Sequence, residues 1–321
     1  MSARTGLVFC ALSIVFACGA CGAAREPGPA VGTSLPPAAS TSTGTTSSPS
    51  STDIDDIVDT DKKPAIIEPE VDTLAWETGA GVGNGVARKD TQNPRGENVF
   101  IAYAGWRITL SATQAWVTAL YRSTLRDRGV RYVWAVRGPL DPNYKSVEIG
   151  NSKIASAMIP HVSDATKFIL VVAHSSGSFV AHELFSVLAN GGLDPKNVTA
   201  GRIVYFDLDG DASGLFPSTI ARLRRGYFVG AVDKTTGTES PNAVDMRDAA
   251  TQLGSPMSYW ESDASASACP KGDVWCIHVT CITQRPHPKA PDPNVDYTDF
   301  DGREVNHSYL DAKVAEAGLA P

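Results

Sequence analysis

The sequence predicts an α/β fold, a mainly parallel sheet of about six strands with helices on both faces. Three observations carry that expectation. Short apolar runs alternate with segments of helical hydrophobic period from residue 99 to the end of the chain. Neighbouring runs are separated by stretches long enough for a crossover, which parallel strands require. The residues best suited to chemistry, Gly105, Trp106, Ser175, Asp207, Asp209 and Asp233, stand at the ends of those runs, and ligands gather at the carboxyl ends of strands in such sheets.

The elements follow in order. Residues 99–104, Val-Phe-Ile-Ala-Tyr-Ala, read as the first buried strand, ended by Gly105-Trp106. Ser111 offers an N-cap and Gln114 completes a capping box. Trp116, Val117, Leu120 and Tyr121 then form an apolar stripe, and Gly129 stops it. Val130–Val136 is the second strand, closed by Gly138-Pro139, and a helix over 144–158 ends at Pro160. Residues 168–173 form the strand that leads to Ser175, with an amphipathic helix over 179–188 and an exit at Gly191-Gly192. A strand over 203–206, a helix over 218–225 and a strand over 227–232 come next, with Asp233 at the end of the last. The gap between the last two strands is too short for a cap domain. Residues 233–272 read as an irregular insert in which Met257, Tyr259 and Trp260 either line an acyl pocket or join the core. Residues 274–282 read as the sixth strand, followed by a Pro-rich loop to about 304 and a closing helix over 309–317. Gly79, Gly81, Gly83 and Gly85 resemble a phosphate loop, but no strand precedes them and no helix follows, so they read as an ordinary loop.

Composition narrows the class. The 321 residues are 42% hydrophobic and 20% charged, enough for a sizeable core. The net charge of −7 argues against a nucleic-acid partner, which would require a basic stripe. Arg4 precedes an apolar segment over 7–17, too short to span a bilayer but suited to an export signal. The following Ala17-Cys18-Gly19-Ala20-Cys21-Gly22 resembles a bacterial lipoprotein cleavage box, with Cys21 or Cys18 as the lipidated residue and simple cleavage and release as the alternative. Residues 1–21 are therefore read as a signal or lipoprotein peptide. Residues 22–62, rich in Pro, Ser and Thr, are read as a flexible tether and 63–321 as the folded domain. The expected location is the cell envelope or the exterior, with the membrane reached only through the anchor. Within the domain, Cys276 and Cys281 on one strand would face opposite ways, roughly 16 Å apart. A disulfide would then join Cys269 to one of them and leave one thiol free.

The stretch with most chemical content is Ala173-His174-Ser175-Ser176-Gly177, between a strand and a helix. A buried strand can deliver a serine to a sharp turn there, with small neighbours letting the turn close and a helix N-terminus pointing at the reacting atom. With acid and base candidates following in the order Ser, Asp, His, residues 99–318 resemble an α/β-hydrolase of the small, cutinase- or lipase-like kind. Ala173 replaces the usual glycine, and the early antiparallel strands of the family are not evident. The resemblance implies a serine esterase or lipase acting on a small-molecule or lipid ester, with no cofactor and no metal. It carries Ser175 over as nucleophile, His307 as base and Asp233 as orienting acid, with Asp209 the competing acid. The oxyanion hole would use the N–H of Ser176 and that of Trp106 or Gly105. Peptidases, thioesterases and amidases share this machinery, and a tethered binding protein that has lost catalysis is the alternative of another class. His278 reads as a histidine packed within a strand, and His174 as held beside the elbow and unable to serve Ser175. Asp207 to Asp211 fails the calcium-loop pattern at Ala212 and Ser218.

Overall fold

The computed structural model describes residues 74, 76–77, 86–94, 96–140, 150–190, 192–267, 269–284 and 305–320, all within the compact unit Ala65–Pro321. The expected signal, lipidation box, tether and glycine run lie outside the described residues.

Strands β1 (Val86–Asp90), β2 (Asn98–Tyr103), β3 (Val130–Val136), β4 (Ile169–His174), β5 (Ile203–Leu208), β6 (Leu223–Asp233), β7 (Thr238–Glu239) and β8 (Met257–Asp263) form one sheet. Its order is β1-β3-β2-β4-β5-β6, with β7 and β8 both paired to β6. The six strands β2, β3, β4, β5, β6 and β8 run parallel, while β1 pairs antiparallel with β3 and β7 antiparallel with β6. The α/β fold expected from the sequence, a mainly parallel sheet with helices on both faces, is thus present.

The central strands are buried along their whole length, which is why their sequences are continuous apolar runs rather than alternating ones. Successive side chains still take opposite faces. Phe100, Ala102, Leu170, Val172, Val204 and Phe206 join one core with α1 (Leu110–Leu120), α6 (Val274–Val279) and α7 (Ser308–Ala317). Ile101, Tyr103, Val171, Ala173, Ile203 and Tyr205 join the other with α2 (Asn151–Met158), α3 (Gly177–Ala189), α4 (Pro217–Ile220) and α5 (Pro241–Leu253).

Several sequence expectations are corrected. The cap of α1 is Thr109, extended at φ −68° and ψ 162°, whose hydroxyl accepts the Ala112 N–H at 3.2 Å; Ser111 lies one residue inside the helix. The helix expected over 218–225 stops at Ile220, and β6 already begins at Leu223. An early antiparallel strand does exist, β1. The largest correction concerns the sixth parallel strand. Residues 274–282 do not form it: Asp273 caps α6, its carboxylate accepting the Cys276 N–H at 2.9 Å. That place belongs to β8, inside the segment read as an irregular insert. Met257 packs into the core from β8 rather than from a pocket. Cys269 bonds Cys276 across seven residues and Cys281 is the buried free thiol, so the predicted use of Cys269 holds although its strand premise does not.

Candidate active site

The loop, the turn and the carboxylate of the site follow the carboxyl ends of β2, β4 and β5, and its histidine rides on α6. Ser175 follows β4 directly and takes φ 53°, the left-handed region that a residue with a Cβ rarely adopts. The turn is held by the Ser175 N–H donating to Leu208 O at 3.0 Å and by the Ser178 N–H donating to Ser175 O at 3.0 Å. Gly177 is required because a Cβ there would lie 2.5 Å from Ala104 O, so α3 starts in contact with the end of β2. Ala173 is fully buried and the turn closes over it, so the departure from glycine costs the elbow nothing visible. Gly105 lets the loop after β2 approach the serine: a Cβ there would stand 3.0 Å from Ser175 Cβ and 3.1 Å from His174 Nδ1. Among the described residues the N–H groups of Trp106 and Ser176 donate to no carbonyl, and Ser175 remains partly exposed beside them.

The histidine that meets an acid here is His278. Its Nδ1 lies 2.6 Å from Asp209 Oδ2. Since a carboxylate accepts, Nδ1 carries the hydrogen, so in the neutral ring the lone pair is on Nε2. Asp209 is fully buried and itself left-handed at φ 47°, a turn that swings its carboxylate away from the line of β5. Its Oδ1 accepts the Ala231 N–H at 3.0 Å and the Ser240 hydroxyl, and the Asn242 amide donates to its carbonyl at 2.7 Å. Two groups therefore hold Oδ1 and a third holds the Asp209 main chain, leaving Oδ2 for His278.

His174, the residue before Ser175, sits against His278. The two rings are 4.7 Å apart, and His174 Nε2 is 3.4 Å from the His278 carbonyl. Burial, and then the neighbouring His278 ring, hold His174 well below the ordinary histidine range, so it is neutral. Its Nδ1 is buried without a hydrogen-bond partner.

Asp233 and His307, expected as acid and base, are not brought together. Asp233 ends β6, but its carboxylate accepts the N–H groups of Thr235 at 2.9 Å and Thr236 at 3.1 Å and the Ser265 hydroxyl at 3.1 Å. The Thr236 N–H foremost holds it below the ordinary carboxylate range. This is an Asx turn leading into β7, a local use of the side chain. His307 caps α7 and lies 3.4 Å from Asp311, one turn along. Asp311 also binds Arg128 at 2.9 Å, two residues before the start of β3. His307 is thus engaged by a carboxylate of its own helix and not by Asp233.

A second His–Asp pair lies under the opposite face. Asp207 Oδ2 accepts from Tyr205 at 3.0 Å, and His182 Nε2 is 2.9 Å from the same hydroxyl. His182 Nδ1 lies 2.7 Å from Ser213 O. Burial raises the Asp207 carboxyl above its usual range. Both side chains are almost wholly enclosed beneath α3, which makes this pair a strut for the 209–216 loop. The described residues contain no group of three or more side chains able to hold a metal, and none of their helices is long and apolar enough to cross a membrane.

No protein-family model and no curated protein matches the chain. Among solved structures, it is similar to a predicted CIB-like hydrolase from Thermoplasma acidophilum at 13% identity and TM-score 0.36, over 60% of this chain and 87% of that one. It is also similar to a variant of AqdC, solved with its substrate and described as recognising and ring-cleaving the Pseudomonas quinolone signal, at 22% identity and TM-score 0.24. That match spans 42% of this chain and less than half, 45%, of the other.

Proposed function

We propose that the protein hydrolyses carboxylic esters through an acyl-enzyme on Ser175, with His278 as base and Asp209 as orienting acid. The observation that carries the reading is the 2.6 Å contact between His278 Nδ1 and Asp209, with the His278 ring 4.7 Å from that of His174, the residue before a serine held at φ 53°. With Nδ1 committed to the carboxylate, Nε2 takes the hydroxyl proton as Ser175 Oγ bonds to the ester carbon. The tetrahedral oxyanion is met by the N–H groups of Ser176 and Trp106, or of Gly105. Collapse breaks the bond to the alcohol oxygen, which receives the proton from His278. Water, activated by the same Nε2, then releases the acid and restores Ser175. The substrate is a small-molecule or lipid ester. An exported chain anchored at Cys21 or Cys18 and tethered through 22–62 is the proposed cellular form, supported by the sequence at those positions.

Turnover of a short-chain p-nitrophenyl ester and labelling by a fluorophosphonate probe test the reading. Both are expected in the wild type and absent in Ser175→Ala. His278→Ala is expected to lower kcat by about 10⁴-fold or more, whereas His307→Ala leaves it within a few-fold. Absence of turnover and labelling in the wild type sinks the enzyme reading and favours a binding protein. Amide or thioester turnover exceeding ester turnover moves the substrate class.

A further inference from the structure

The parallel register puts an arginine in the same row as the elbow. Tyr103 pairs with Val136 of β3 on one side and with Ala173 of β4 on the other. One residue further on, Arg137, Ala104 and His174 therefore stand abreast, and the Ala104 N–H donating to Val136 O at 3.0 Å continues that ladder. Alternation gives all three the face covered by α1, α6 and α7, which His278 also occupies. Two strand spacings separate Arg137 from His174, roughly 10 Å between Cα atoms, with Ala104 on the strand between them.

Arg137 is partly buried, its Nε has no access to solvent, and it has no hydrogen-bond partner. Several arginines in the described residues find carboxylates, Arg88 with Asp90, Arg128 with Asp311, Arg131 with Glu97, Arg222 with Asp194 and Arg247 with Glu239, while Arg224 and Arg225 donate to backbone carbonyls. Arg107, just past Gly105, lacks one as well. It adopts φ 58°, its guanidinium lies over the Trp106 ring at 4.9 Å, and its N–H donates to Pro139 O at 2.9 Å, tying the two loops together. In a chain of net charge −7, two guanidinium groups thus flank the oxyanion loop without a counter-charge among the described residues. A buried charged donor without an acceptor is costly, and a fork of N–H groups matches a carboxylate or phosphate. Resting on the ester-hydrolase reading, we propose that the substrate is an anionic ester, carrying a carboxylate or phosphate a few bonds from the scissile carbonyl. Arg137 binds that anion, with Arg107 adding to the field.

The test compares three esters on the full chain. They are neutral p-nitrophenyl butyrate, mono-p-nitrophenyl succinate with its charge on the acyl side, and a butyryloxy-nitrobenzoate with its charge on the leaving group. The wild type is expected to favour at least one anionic ester over the neutral one tenfold or more in kcat/KM. Arg137→Gln is expected to cut that ratio at least tenfold, chiefly through KM, with Arg137→Lys recovering part of it. No anionic preference in the wild type, or an equal loss on all three esters in Arg137→Gln, overturns the proposal. Thermal melts of Ser175→Ala with glutarate separate it from the catalytic reading. A glutarate-dependent rise in Tm that disappears on adding Arg137→Gln supports the anion site even if no ester is turned over, and no rise overturns it. Absence of fluorophosphonate labelling counts against the ester-hydrolase reading alone.

Discussion

Ser175 carries a backbone cost as well as a hydroxyl. A non-glycine residue at φ 53° is strained by about 1 kcal/mol or more, and such strain persists only where the surroundings impose it. Here they do, because Ser175 N–H, Ser178 N–H and the packing of Gly177 against Ala104 all fix the turn. Ser175→Gly is therefore expected to abolish turnover while raising stability by about 0.5–1 kcal/mol in denaturant titrations, whereas an unstrained turn would give a loss. The proposed acid is tested at the same scale. Asp209→Asn leaves the shape but removes the charge that fixes the His278 tautomer, and a fall in kcat of about 10⁴-fold is expected. Asp233→Asn, which touches only its own turn and Ser265, is expected to stay within several-fold. The turn at Ser175 was legible in the sequence because strand, small residues and helix are all local. Asp209 was not separable from Asp233, since both follow a strand and only a left-handed turn at 209 aims one carboxylate at a histidine 69 residues away.

The element that decides the site is α6. Its sequence, Val-Trp-Cys-Ile-His-Val, is a short apolar run that suits a buried strand as well as a buried helix turn, and periodicity cannot separate the two. The separating signal was Gly272-Asp273, a stop followed by an N-cap, and reading it would have moved His278 out of the sheet. The misplaced strand also hid β8, whose Ser-Tyr-Trp-Glu-Ser stretch is only half buried beyond β6 and lacks the apolar run of the inner strands. With its six residues, α6 cannot be stable alone. It is held by the Asp273 cap, by the disulfide from Cys269 and by burial of Cys276 and Ile277. Closing so short a loop is worth about 2.5 kcal/mol by chain entropy. Cys269→Ser is accordingly expected to lower unfolding free energy by roughly that amount. Because His278 rides on the clamped helix, kcat should fall more than the melting temperature alone implies at an assay temperature well below the transition. Unchanged kcat would show that Asp209 holds His278 without the clamp.

For the whole molecule, the two cores on either side of the sheet meet the two His–Asp pairs differently. The Asp207–His182 pair is sealed under α3, whereas the Asp209–His278 pair lies where α6, β5 and the elbow converge. The alternation of strands and helices made this sheet legible, because each crossover is encoded within its own stretch of chain. The closing of α6 over the elbow was not legible, because it depends on contacts between segments about 100 residues apart. One of those contacts has a global consequence. His174 is held neutral by burial and by the His278 ring, so its folded pKa lies below the roughly 6.5 of an unfolded histidine. The folded state then binds fewer protons than the unfolded one at acid pH, and stability falls as pH drops through about 6.5, by up to about 1.4 kcal/mol per pH unit for this one group. His174→Gln removes the proton site while keeping an N–H donor for the His278 carbonyl. Unfolding free energies measured for both proteins from pH 7.5 to 5 should run parallel above pH 6.5 and diverge below it, with the wild type the steeper. Curves that stay parallel to pH 5 would mean that His174 takes up its proton in the folded protein, against the burial that encloses it.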